Sequence, residues 1–470
     1  MSRKRAAAIL AAIAVLMAAH ALADLDGSYV LPLDDWAIQY STRPVDDPIA
    51  RLQQRIRSGD ARLEYDPDYG YLPSVLRNLG APVSSQILVF SKTSFQAARI
   101  SPRVPRALYF NDQVSVGWVK GGDVVEVASV DPKQGVIFYT LNQEKSSSPK
   151  FVRRDECLQC HASGNTLGVP GLVVRSVFPD AGGMPLFHVG TFITDHRSPL
   201  SQRWGGYYVT GTHGEQQHMG NLIYEDGQPP RPASAKGTNV TDLKGRLDTG
   251  GLLSPGSDIV ALMTLEHQSR MQNLITRVGF ETRMALESQA AMNKALKRPE
   301  GERSESTVRR IHGAAEALVK YMLFTDEAPL EGRIEGTSGF AAGFAAQGPK
   351  DRQGRSLRQF ELTRRMFRYP CSYLIYSEAF DNLPPAARDR IYRRLWEVLT
   401  GEDRDAAFAR LSAEDRRAIL EILLDTKKGL PDYWRPISTQ RLHGTTPASG
   451  LGESSSIESN SSRLPSGSWK

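Results

Sequence analysis

The chain has 470 residues, with 58 Lys plus Arg against 52 Asp plus Glu, 40% apolar residues and three cysteines. This length provides two or three domains with ample core, and three cysteines exclude a disulfide framework, so packing carries the stability. A formal charge of +6, with no basic run interleaved with stacking aromatics, excludes a nucleic-acid-binding class.

Residues 1–23 have the pattern of a secretory signal: Arg3-Lys4-Arg5, an apolar run over 6–19, then Ala21-Leu22-Ala23 as the small-residue cleavage site. The apolar run is too short to span a bilayer, and no later stretch approaches the length required; an uncleaved anchor is the alternative. The mature chain is therefore expected to begin near Asp24, to lack a transmembrane segment, and to be periplasmic or otherwise exported. Its charge becomes +3, since 58 − 3 = 55 basic residues face 52 acidic ones.

An arm or short strand is expected over 24–42. A short helix follows, capped by Asp47, with Pro48 in its first turn, Ile49, Leu52 and Ile56 recurring at three and four, and Gly59 as its stop. The texture then changes to strands at 87–90, 107–110, 114–119, 124–130 and 136–141, separated by Asn111-Asp112, Gly121-Gly122 and Asp131-Pro132. Val114, Val116 and Trp118 alternate with Ser115 and Gly117, as one buried face of an antiparallel sheet requires.

Next comes Cys157-Leu158-Gln159-Cys160-His161. Residues three and four apart lie on one side of a helical turn, so two thiols and an imidazole reach one edge of one macrocycle. CxxCH is the spacing at which both cysteines bond a haem and the histidine ligates its iron. By chance the pentad arises in roughly 4 of 10,000 chains of this composition, so accident is a poor explanation. A zinc site needs two further ligands, and Cys371 stands alone in an apolar run where an inert buried thiol is expected. A thioredoxin-like motif follows a strand of a βαβ unit, whereas the approach over 149–154 is charged. A disulfide, or a pair of free thiols, leaves His161 unexplained. The motif resembles the attachment site of c-type cytochromes, which implies one covalent haem c on Cys157 and Cys160 with His161 as axial iron ligand.

Strands resume at 172–178, 186–194 and 206–210. The motif is thus expected in a loop or single helical turn inserted among strands, not in the helical wrap of a small class I cytochrome c. This organisation resembles that of exported PAS-like haem domains. The second half is helical, with a long helix over 259–292 capped by Ser257 or Asp258, a second over 304–324, a glycine-rich break over 332–348 with a flexible loop at 339–344, and helices over 356–367, 385–399 and 413–428. Ser412 with Asp415 resembles a capping box. The expected class is α+β: an antiparallel haem-bearing domain over 24–250, a helical domain over 251–438, and a tail over 439–470, rich in Ser, Gly and Pro, that is expected to be disordered.

The sixth iron ligand has several candidates. Val260, Met263, His267, Met271, Leu274 and Val278 recur at three and four and set His267 within an apolar stripe, where a carbonyl or carboxylate is the alternative partner. Met219 lies 58 residues beyond His161 (219 − 161), and His213, His218 and His188 are further candidates, as is an open position. The leading reading is an exported monohaem cytochrome that transfers electrons with a redox partner protein. A haem-based sensor or binding module is second, and a peroxidase-like enzyme, with His213 or His267 as acid-base group, is third. No catalytic residue is assigned, and the sequence has no P-loop, GxSxG, HExxH or post-strand GxGxxG.

Overall fold

Polar turns of three or four residues, at 111–113, 120–123 and 132–134, fold the apolar runs of the first half back on one another. In a computed structural model the described residues are 30–225 and 237–434. Strands β1 (Ile87–Val89), β2 (Arg106–Phe110), β3 (Val114–Val119), β4 (Val124–Asp131), β5 (Gly135–Asn142) and β6 (Phe151–Arg153) each pair antiparallel with the next. Strands β7 (Arg175–Val177) and β8 (Thr191–Ile193) form a separate pair, while β9 (Tyr207–Tyr208) returns to β1, giving the order β6-β5-β4-β3-β2-β1-β9. A further pair joins β10 (Gly211–Thr212) to β11 (Glu335–Gly336), so the C-terminal half reaches back to the first.

Alternation gives the sheet two faces. Val116 and Trp118 of β3, Val127 of β4 and Ile137, Tyr139 and Leu141 of β5 join a buried cluster with Ile49 and Leu52 of α1 (Pro48–Ser58) and Leu72, Val75 and Leu76 of α2 (Leu72–Leu79). Asp47 caps α1 and Gly59 ends it with φ of 84°, as its sequence requires. Val130, Val136 and Phe138 face the other way and pack with Ala128, Cys157, Leu158 and Leu172.

After the single-turn helix α3 (Leu158–His161) the dominant element is α4 (Ile259–Leu296), whose 38 residues run about 57 Å at 1.5 Å each. Asp258 caps it, and the neighbouring Ser257 instead accepts a bond from Leu88 N at 2.9 Å. Among the described residues five α-helices follow: α5 (Glu305–Met322), α6 (Phe340–Ala346), α7 (Glu378–Asp381), α8 (Pro385–Thr400) and α9 (Ala413–Thr426). The architecture is α+β, with an antiparallel sheet in the first half and helices in the second, and differs from a small class I cytochrome c.

Three segments differ from expectation. The charged stretch before the motif contains the edge strand β6, held by cross-strand pairs from Tyr139 to Leu141. Residues 339–344, expected as a flexible loop, lead into α6, because Phe340 and Phe344 at i and i+4 both bury, against Phe110 and Phe360. Residues 356–367 form turns instead of a helix: one Glu361 carboxylate oxygen accepts from the backbone N–H of Thr363, Arg364 and Arg365 at 3.0, 2.8 and 3.0 Å, which competes with helical bonds. The described residues up to Leu430 belong to one compact unit, and those from Pro431 to another, of which the short turn Asp432–Trp434 is described. The expected signal at 1–23 and tail at 439–470 lie outside the described residues. Among the described residues no helix is long and apolar enough to cross a membrane.

Candidate functional site

The edge strand delivers the motif. Arg154 N extends the ladder to Phe138 O at 2.8 Å, after which the chain turns through Asp155–Cys157 into α3. Cys157 is half-buried, Cys160 is exposed, and neither is bridged. His161 Nδ1 lies 2.9 Å from Gly171 O. A carbonyl only accepts, so the neutral ring carries its proton on Nδ1 and leaves Nε2 as a lone pair, with no hydrogen-bond partner among the described residues. The imidazole packs on Phe138 at 4.8 Å between centroids.

Burial lowers the His161 pKa against the opposing pull of the Gly171 bond, so the ring is neutral. Burial, with Glu156 beside it, pushes the Cys157 thiol up to about 11. A thioredoxin-type nucleophile needs the opposite shift and a βαβ setting, and this motif has neither. Arg106 of β2 and Glu126 of β4, paired at 2.7 Å across the intervening strand β3, both act on His161. Gly117 lies between them without a side chain, since an added Cβ would meet the Arg106 guanidinium at 2.7 Å.

The loop after the motif is tightly bonded. Ser163 and Thr166 form a reciprocal capping pair, Thr166 Oγ1 also donates to Val169 O at 2.8 Å, and Leu167 takes φ of 61°. Gly171 N returns to His161 O at 2.9 Å, so His161 and Gly171 are joined twice.

The sixth-ligand candidates occupy their own clusters, and among the described residues no hydrogen bond or ring contact joins His267, Met219, His213 or His218 to the motif. His267 is fully buried, with Nδ1 at 2.8 Å from His196 Nδ1 and Nε2 at 2.8 Å from Ser372 Oγ. Tyr321 and Phe324 stack beside both rings. Burial lowers the His267 pKa to about 3, so this pair is neutral and satisfied on the His267 side. Met219 is buried with Sδ 3.5 Å from Ser176 Oγ of β7. His213 Nε2 accepts from Asn239 N at 3.0 Å, its Nδ1 is buried without a hydrogen-bond partner, and its ring meets His218 at 4.7 Å. His218 Nδ1 accepts from Gly220 N at 3.0 Å, and His188 is exposed between β7 and β8. Sequence reasoning missed His196, whose partner lies 71 positions away, and Gly171, whose contribution is a backbone atom.

Among the described residues no three His, Cys, Asp or Glu side chains converge as a metal site. Cys371 is buried, and its thiol is pushed up to about 12 by that burial. Compared with family models, with curated proteins and with solved structures, the chain matches none.

Proposed function

We propose that the chain is an exported monohaem c-type cytochrome that passes single electrons to or from a redox partner protein. One observation carries this reading: beside two unbridged cysteines at helical spacing, His161 has Nδ1 committed to the Gly171 carbonyl and Nε2 left as a lone pair. Cys157 and Cys160 would hold haem c through thioether links, and His161 Nε2 would bind its iron. Bound there, the haem supplies an iron centre that changes oxidation state by one electron. The protein's own residues set its surroundings. Phe138, Val130 and Val136 pack an apolar cluster against Cys157 and Leu158, and the Arg106–Glu126 pair supplies nearby balanced charge. The secretory pattern over 1–23 supports export to the compartment where such attachment takes place.

Expression with a haem-attachment pathway tests the proposal. The exported chain should gain the mass of one haem and show reduced-minus-oxidised absorption bands, and Cys157→Ala with Cys160→Ala should lose both. A colourless wild-type chain of polypeptide mass alone sinks it.

A haem-based sensor or binding module is the second reading, favoured by the engagement of both His267 ring nitrogens. Avid carbon monoxide binding by the reduced chain selects this reading, and rapid reduction without carbon monoxide binding selects the electron carrier.

A further inference from the structure

We propose that Asn273 of α4 is the positioning residue that fixes the orientation and donor strength of His161, a role that rests on the haem reading. The amide of Asn273 brackets the Leu172 backbone: Oδ1 accepts from Leu172 N at 3.0 Å, and Nδ2 donates to Leu172 O at 2.7 Å. Leu172 N–H and Gly171 C=O belong to the same planar peptide unit. One plane is therefore held at both ends, by Asn273 on its N–H and by His161 Nδ1–H on its oxygen.

The order of the bonds gives the arrangement its effect. An acceptor on the N–H polarises the peptide and makes its oxygen a stronger acceptor, because hydrogen bonds in a chain reinforce one another. A stronger acceptor at Nδ1 gives Nε2 more electron density, and outer partners of this kind tune a ligating imidazole. Asn273 is only 1% exposed, so water does not replace it.

The local sequence fits the clamp. Gly171 has no side chain where an added Cβ would meet Asn273 Oδ1 at 2.2 Å and Cγ at 2.7 Å. Pro170 O accepts from Val136 N of β5 at 3.1 Å, and Arg277 Nη1, one helical turn beyond Asn273, donates to Leu167 O at 3.0 Å. The loop is thus pinned between sheet and helix, and the first half's site depends on a side chain of the second.

Three chains are compared: wild type, Asn273→Leu, which removes both bonds, and Asn273→Asp, which keeps the acceptor for Leu172 N. In haem-loaded protein, Asn273→Leu should raise the midpoint potential and lower the iron–histidine stretching frequency, whereas Asn273→Asp should leave the potential at or below that of wild type. Equal shifts in both variants would reduce Asn273 to a packing role. Without haem, 15N NMR should read His161 as the Nδ1–H tautomer in wild type and as a mixture in Asn273→Leu. Gly171→Ala, which displaces the amide from the opposite side, should reproduce the mixture if Asn273→Leu fails to fold. An unchanged tautomer overturns the proposal. Failure of wild type to take up haem overturns the functional reading instead, and the tautomer measurement still decides the clamp.

Discussion

One carboxylate oxygen of Asp47 accepts from Ile49 N at 2.9 Å and Ala50 N at 3.3 Å to cap α1, while the other accepts the Tyr139 hydroxyl of β5 at 2.8 Å. The residue is fully buried, so Asp47→Ala removes a cap and strands a buried hydroxyl. These losses cost about 1 kcal/mol and about 1–3 kcal/mol. Denaturant unfolding of Asp47→Ala should therefore show a loss of roughly 2–4 kcal/mol, and Asp47→Ala in a Tyr139→Phe background should lose only the cap's share. A full loss in that background would remove the hydroxyl from the argument. The cap was legible in the sequence because it is local, but the Tyr139 bond spans 92 positions and was not. CxxCH was legible for the same reason, since its chemistry lies within five residues. His267 stood out by period, yet His196 and Ser372, which occupy its nitrogens, lie 71 and 105 positions away.

Between elements, α4 is attached to the sheet by polar side chains that reach turn carbonyls. Gln268 donates to Asn111 O and Gln272 to Asp112 O, both at 2.7 Å, and Arg283 donates to Lys133 O at 2.6 Å. Strands were legible because their two-residue period and turn residues are local; this docking was not, because amides at helical spacing also suit a solvated face. The β4–β5 turn shows how close the contact is. Gly135 has φ of 76°, and an added Cβ would meet Thr276 Cγ2 at 2.6 Å and Pro170 O at 2.8 Å. Gly135→Ala should thus cost about 2 kcal/mol or more, from backbone strain and overpacking together. Thr276→Ser removes the clashing methyl and should recover part of this in a double-mutant cycle. Additive losses would place the whole cost in the backbone.

Over the whole molecule, buried titratable groups set opposing pH dependences that net charge does not reveal. Burial lowers His218 and His267 to about 3 from an ordinary 6.5, so the unfolded chain binds more protons between those values and stability rises with pH there. Glu327 moves the other way. Burial raises it from 4.5 to about 7, although Met366 N donates to Oε1 at 2.7 Å, and Glu266 is raised by burial against the pull of Arg203. Between pH 4.5 and 7 the folded chain keeps a proton on Glu327 that the unfolded chain has released, so this contribution is fully present below 4.5 and lost as pH rises through 7. Glu327→Gln keeps an oxygen for Met366 N and cannot ionise. Its stability relative to wild type should therefore improve by up to about 3 kcal/mol between pH 4 and pH 8, since each pH unit between the unfolded and folded titrations of Glu327 is worth about 1.4 kcal/mol. Chemical denaturation of both chains across that range measures the difference. A constant difference would mean that Glu327 ionises as readily in the folded chain as in the unfolded one, and that the fall in stability towards alkaline pH belongs to other groups.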